Sequence, residues 1–361
     1  MKGQVELSRD LLREAQSHFE TSLQDFFTCH QERYAFGDWV ETLYLDVAEY
    51  VARKGKRVRP MLALGSHALF AEKDGEPAVA PLRVAVGLEL LHTFILMHDD
   101  VIDRSERRRG VPTFHKHVEG RLGNRAGRER IGQSIALVMG DVIYALALES
   151  VVTAPLPEGR REDIVREFLA LTTETGCGEI QEITLGLRDI SRVAADEIRR
   201  MYNLKTTRYT IEGPLVLGAM LGGASDDAIQ AIREFAGPVG LAFQIANDLQ
   251  EFRHFDASDP MFQSDLLEGK KTLLVREAFE RLNECDRSFL QLCLDSPSLG
   301  EPSIHKVGEL IRKSGAETVL EEEIVRLFEQ ARSALDTPSL TPQQRDGLQF
   351  LKDHVRSQTA L

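Results

Sequence analysis

The residues best suited to chemistry stand in Leu91-His92-Thr93-Phe94-Ile95-Leu96-Met97-His98-Asp99-Asp100-Val101-Ile102-Asp103, where an apolar run ends in three carboxylates. On a helix Asp99 and Asp103 lie about 40° apart, and His92 falls between them in angle. Like charges four residues apart cost a bare helix a few tenths of a kcal/mol. Anionic charge at the C-terminal end of a helix is also unfavourable. Something cationic must offset both. A few hard oxygen ligands suit Mg²⁺, which keeps several waters and takes further oxygens from a substrate phosphate. A solvated acidic helix end, neutralised by the next segment, is the other reading open at this point.

That next segment is basic. Arg104, Arg107, Arg108, Arg109 and Lys116 follow in a chain that is otherwise acidic. Guanidinium forks match phosphate oxygens bidentately, so arginines beside metal-type carboxylates fit a diphosphate. A second basic group is Lys54-Gly55-Lys56-Arg57-Val58-Arg59-Pro60, a turn entering a helix. A second apolar helix ends in oxygen ligands at Phe243-Gln244-Ile245-Ala246-Asn247-Asp248-Leu249-Gln250-Glu251. There Gln244, Asp248 and Glu251 fall within about 60° on a helical wheel. Lys205-Thr206-Thr207 and Gly269-Lys270-Lys271-Thr272 add cations and hydroxyls. Each of these four groups, taken alone, also reads as an ordinary solvated polar segment.

The elements that must hold these groups are helices. Apolar residues recur at i, i+3, i+4 and i+7 over Leu7–Phe27, Trp39–Ala52, Leu82–Ile102, Ile131–Val152, Ile164–Thr175, Ile198–Ile211, Ala228–Glu251 and Val307–Leu335. Sustained alternation is absent, so the chain is expected to be all-α. Asp103 to Arg130 is a long polar, basic break, and His254 to Gly269 another. No long Pro/Gly/Ser linker or internal repeat divides the 361 residues, which points to one domain.

Composition narrows the function. Lys and Arg total 44 against 57 Asp and Glu, a net charge of −13. That excess argues against nucleic acid, which needs a basic surface, but not against small phosphorylated ligands. Hydrophobic residues at 42% exclude disorder as the main state. Cys29, Cys177, Cys285 and Cys293 lack zinc spacing and are expected to be buried free thiols in a reducing compartment. The N-terminus has no apolar signal region, and no uncharged apolar stretch approaches the ~20 residues of a membrane span. A cytoplasmic protein with no transmembrane segment is expected.

Together the motifs G-K-R-V-R-P, H-D-D-V-I-D with R-R-G-V-P-T after it, L-K-T-T, F-Q-I-A-N-D and G-K-K-T resemble the trans-isoprenyl diphosphate synthases, or polyprenyl synthetases. The resemblance runs from about Tyr50 to Val275, and more loosely to the end. It implies a single large helical bundle of isoprenoid synthase type around a deep central cavity, usually a homodimer. Residues 1–35 would be an N-terminal helical addition, 36–280 the catalytic core and 281–361 C-terminal helices. It implies Mg²⁺-dependent joining of isopentenyl diphosphate to an allylic diphosphate. Asp99 and Asp103, with Asp100 supporting, would bind Mg²⁺ on the allylic diphosphate. Arg108, Lys205, Thr206 and Gln244 would line the same site. Lys56, Arg59, His92 and Arg109 would hold isopentenyl diphosphate. Asp248, with Glu251 as a further oxygen donor, would bind further Mg²⁺, and Lys270 would neutralise phosphate charge. Phe94 and Ile95, just upstream of Asp99, would set product length. A single aromatic there without an inserted pair of residues resembles the geranylgeranyl type.

The second acidic motif departs from the family's D-D-x-x-D, reading Asn247-Asp248-Leu249-Gln250-Glu251. A family lysine upstream of Asp265 is also missing, with Asp259-Pro260-Met261 in that stretch. Weaker metal binding on that side is the direct expectation. Two alternatives follow: a class I terpene cyclase, disfavoured by the retained Lys56, Arg59 and Arg109, and a non-catalytic regulatory partner of another synthase.

Overall fold

Helical patterning and local capping build nearly every element. The computed structural model describes residues 7–33, 37–53, 55–72, 79–108, 110–253, 269–296 and 299–359. Its long elements are all helices, as expected. They are α1 (Arg9–Arg33), α2 (Asp38–Ala52), α3 (Val58–Phe70), α4 (Val79–Ile102), α5 (Phe114–Arg121), α6 (Arg128–Val152), α7 (Arg161–Gly186), α8 (Ala195–Tyr202), α9 (Gly213–Leu221) and α10 (Asp226–Arg253). Beyond residue 268 come α11 (Leu273–Arg281), α12 (Glu284–Leu294), α13 (Glu301–Ser314), α14 (Ala316–Ala334) and α15 (Pro342–Ser357). Thr272, Asn283 and Thr341 cap α11, α12 and α15 by accepting from the N–H groups of Val275, Asp286 and Gln344. Each such cap contributes about 1 kcal/mol.

Three sequence expectations change. The pattern Val307–Leu335 is two helices, broken where Gly315 takes φ 71°. The pattern Ile198–Ile211 is α8 followed by a π-helix over Asn203–Glu212. The polar stretch after Asp103 is not a plain loop. It holds a two-residue antiparallel hairpin, β1 (Arg107–Arg108) with β2 (Val111–Pro112), and then α5. The cysteine expectation also needs correction: Cys293 is buried, but Cys29, Cys177 and Cys285 are exposed.

Two compact units share the chain. The first comprises Met1–Arg166 with Leu217–Ala224, the second Glu167–Val216 with Ser225–Leu361. Two of the three divisions fall inside α7 and α9 and the third in the short turn between α9 and α10, so none is a long linker.

In the first unit α4 and α6 pack along each other, with α3 on α4 and α5 on α6. Both central helices are apolar on several faces, with mean hydropathy 1.6 and 1.9 over an 18-residue window, long and apolar enough to cross a membrane. Each carries an acidic residue within it, Glu89 in α4 and Asp141 in α6, so the expectation about uncharged stretches stands. Their apolarity has an adequate cause in mutual packing, since Val84, Leu88, Leu91, Ile143 and Ala147 are fully buried.

In the second unit α10 is the central helix, packed against α14 and the π-helix. The π-helix is held by charge and by close approach. Arg208 pairs with Glu174 at 2.5 Å and also with Glu212, and Arg233 joins Glu212 at 2.8 Å and Glu167 at 2.6 Å. On α10, a Cβ at Gly240 would come within 2.4 Å of Thr207 Cγ2; on α7, one at Gly178 would come within 2.5 Å of Lys205 N. Only glycine lets the wide turn sit that close to both helices.

Candidate active site

In the first unit the acidic end of α4 is shaped by a reversal of the chain. Asp103 N–H donates to Asp99 O at 2.8 Å, closing the helix. Arg104 then adopts φ 50°, and Ser105 N–H donates to Asp100 O at 2.9 Å. This turn feeds the hairpin and returns Arg108 to the helix end. Arg108 Nε donates to Asp100 Oδ1 at 2.7 Å, and Nη2 reaches the same oxygen at 2.6 Å and Asp99 Oδ2 at 3.4 Å. Tyr50 of α2 donates to Asp100 Oδ2 at 3.4 Å.

The three aspartates therefore differ. Asp100 is 1% exposed, and its two oxygens are engaged by Arg108 and Tyr50. Asp99 and Asp103 are only half-buried, and a carboxylate oxygen of each lies within 4.8 Å of the other. This pair of hard carboxylates would suit Mg²⁺, which takes its remaining oxygens from water and substrate phosphate. Burial raises the Asp100 carboxyl, against the opposing pull of Arg108. Burial, and then the Asp100 charge, lift Tyr50 to about 12, so it stays a neutral donor. Arg108 is desolvated, yet the Asp100 charge and hydrogen bond hold it firmly protonated.

The basic turn precedes α3, which packs on α4. Lys56 is exposed just before the helix, and Arg59 is buried in its first turn. His92 is half-buried on α4, two turns before Asp99. Phe94 packs in an aromatic group: its ring centroid is 5.1 Å from that of Tyr144 on α6 and 4.6 Å from that of His98. Ile95 beside it is half-buried. Arg109 lies outside the described residues, as does Asp259-Pro260-Met261.

The second unit gathers the other group. Tyr202, the last residue of α8, donates its hydroxyl to Asp248 Oδ2 on α10 and accepts from Leu273 N–H at 3.1 Å. Gln244 Nε2 donates to the other oxygen of Asp248, at 2.7 Å. Burial, and then the Asp248 charge, push the Tyr202 phenol well above its ordinary range. Lys205 leaves the π-helix towards α7, where it pairs with Glu179 at 2.7 Å and with Glu182. Thr206 is half-buried beside it. Glu251 is exposed one turn beyond Asp248. Lys270 is half-buried between Gly269, at φ 66°, and the start of α11.

Sequence reading misses four contributors: Tyr50, Tyr202, and the pair Glu179 and Glu182. The last two are three apart on α7 and share a face, but that spacing alone does not name Lys205 as their partner. Nothing local marks either tyrosine.

Comparison with known proteins identifies the family. The polyprenyl synthetase family profile matches residues 41–311. A short chain isoprenyl diphosphate synthase of Methanothermobacter thermautotrophicus is 32% identical over 280 residues, covering 76% of this chain and 78% of that protein. A geranylgeranyl diphosphate synthase of Methanosarcina mazei is 31% identical over 242 residues, covering 67% and 68%. Among solved structures, a geranylgeranyl pyrophosphate synthase from Corynebacterium glutamicum, complexed with isoprenyl diphosphate and magnesium, matches with a TM-score of 0.84. It is 26% identical and covers 97% of this chain and 99% of its own. The chain belongs to the polyprenyl synthetase family and is a trans-prenyltransferase.

Proposed function

We propose that the chain joins isopentenyl diphosphate to an allylic diphosphate with Mg²⁺, and that its main product is geranylgeranyl diphosphate. The observation that carries this reading is the Asp99–Asp103 carboxylate pair within 4.8 Å, flanked by Arg108 on its Asp100 anchor. The relatives named for geranylgeranyl diphosphate synthesis support the product.

Asp99 and Asp103 are the ligands that would hold Mg²⁺, with Asp248 and Glu251 serving further Mg²⁺. Held there, Mg²⁺ would supply charge neutralisation for the departing diphosphate. Asp100 orients Arg108 rather than ligating metal. Arg108, Lys205, Thr206 and Gln244 serve the allylic diphosphate, and Lys270 offsets its charge. Lys56, Arg59, His92 and Arg109 hold isopentenyl diphosphate. The allylic C–O bond breaks, the isopentenyl double bond forms the new C–C bond, and a proton is lost to the released diphosphate. Apolar residues upstream of both acidic groups keep water from the cation. Phe94, with Ile95 beside it, stops the growing chain.

A homodimer completes the reading. Leu137, Val138 and Val142 form an apolar stripe on α6 and are 38%, 63% and 41% exposed. A second copy of the chain would cover it. The exposed thiols suit a reducing compartment such as the cytoplasm.

The test is Mg²⁺-dependent condensation of labelled isopentenyl diphosphate with farnesyl diphosphate by the purified chain. A twenty-carbon diphosphate is expected. No product, with Mg²⁺ in excess, overturns the reading.

A further inference from the structure

The basic turn holds a third cation that the reaction leaves without a task. Arg57 adopts φ 47°, a left-handed geometry that is costly for a residue with a Cβ. Such a conformation persists only where the surroundings over-determine it. Here they do. Arg57 is 4% exposed. Its Nη1 donates to Glu89 Oε1 of α4 at 2.5 Å, its Nε to Glu20 Oε1 of α1 at 2.9 Å, and its Nη2 to Arg53 O at 3.1 Å. The guanidinium also lies 5.7 Å from the Phe19 ring centroid of α1. Arg57 O accepts from Met61 N–H at 3.0 Å, so the same residue opens α3. Its neighbours in the turn are Lys56, exposed, and Arg59, buried in the first helical turn.

We infer that Arg57 is a positioning residue: clamped by Glu20 and Glu89, it fixes the left-handed turn that aims Lys56 and Arg59 at isopentenyl diphosphate. The N-terminal helix α1 is then a working part of that site, although none of its residues touches substrate. Residue 57 need not be glycine, because two carboxylates from two helices hold the strained geometry. The inference rests on the reading of Lys56 and Arg59 as ligands of isopentenyl diphosphate.

Steady-state kinetics of the full chain test it, with both substrates varied. Glu20 is 40% exposed, so Glu20→Gln should fold. That variant should raise KM for isopentenyl diphosphate about tenfold, the scale of one charge-assisted hydrogen bond, and leave KM for the allylic diphosphate unchanged. Arg57→Lys keeps the charge but loses the fork and should raise the same KM further. Lys56→Ala should cost less in the Glu20→Gln background than alone, because the aim of Lys56 is already lost. If Lys56→Ala raises KM for isopentenyl diphosphate while Glu20→Gln and Arg57→Lys do not, the inference is overturned and the ligand reading stands. If neither Lys56→Ala nor Arg59→Met changes that KM, the ligand reading fails and takes the inference with it. An equal rise in both KM values, with a lower unfolding temperature, means general loosening and overturns the inference alone.

Discussion

Asp100 and Asp103 are chemically identical and three residues apart, yet neutralising them should have opposite consequences. Asp100 is buried against Arg108, so Asp100→Asn removes the main partner of a guanidinium whose side chain is 29% exposed. Breaking a buried pair from one side costs about 3–5 kcal/mol. Arg108 is partly exposed and keeps its 3.4 Å contact to Asp99, so about 2–3 kcal/mol is expected here. In a chain of this size that lowers the unfolding midpoint by roughly 3–4 °C. Asp103→Asn instead relieves a like-charge pair at the end of α4, and stability should stay within about 0.5 kcal/mol of the parent. Its cost falls on catalysis, with kcat/KM down about 100-fold, or ~2.7 kcal/mol of transition-state stabilisation, and more Mg²⁺ needed for half-maximal rate. Thermal unfolding and Mg²⁺ titration of initial rates, run on both variants, separate the two effects. Asp103→Asn that destabilises as much as Asp100→Asn, with the Mg²⁺ dependence of the parent, would rule out separate roles for the two aspartates.

Three further outcomes follow from particular contacts. Tyr202→Phe removes the donor to Asp248 and the acceptor of Leu273 N–H, and should cost about 1–3 kcal/mol by chemical denaturation while weakening the response to Mg²⁺. Phe94→Ala opens the aromatic group with Tyr144 and His98 and should shift products to longer chains; an unchanged distribution by mass spectrometry removes Phe94 as the chain stop. Burial lowers the pKa of His354, whose Nε2 has no hydrogen-bond partner among the described residues. The unfolded chain then binds the proton more readily, so stability is complete above the ordinary histidine range and is lost as pH falls through about 6.5. His354→Gln should lose less stability than the parent between about pH 7 and pH 5.5, read as the unfolding midpoint.

The sequence made the helices and the separate roles of neighbouring acids partly legible. Successive residues on a helix are about 100° apart, so Asp99 and Asp103 share a face from which Asp100 is turned away. What no spacing could give was the partner of Asp100. Arg108 reaches it only because Arg104 takes a left-handed turn, and Tyr50 arrives from α2. The π-helix was likewise hidden. Its apolar pattern reads as continuous α-helix, while the wide turn depends on Gly178 and Gly240 from distant helices and on Arg208 among three glutamates. From sequence Arg57 belongs to a basic patch that reads as solvated, because burial is a tertiary fact. The exposed thiols of Cys29, Cys177 and Cys285 show the same limit from the other side, since residue type alone favours burial.

Mg²⁺-dependent prenyl transfer at the Asp99–Asp103 pair is directly measurable. The most direct measurement is product formation from labelled isopentenyl diphosphate and ten-, fifteen- or twenty-carbon allylic primers, with parent chain and Asp103→Asn side by side across a Mg²⁺ titration. The account predicts a twenty-carbon diphosphate from the parent, none without Mg²⁺, and a rate for Asp103→Asn lower by about two orders of magnitude. A parent chain that makes no product from any primer at saturating Mg²⁺ would contradict it.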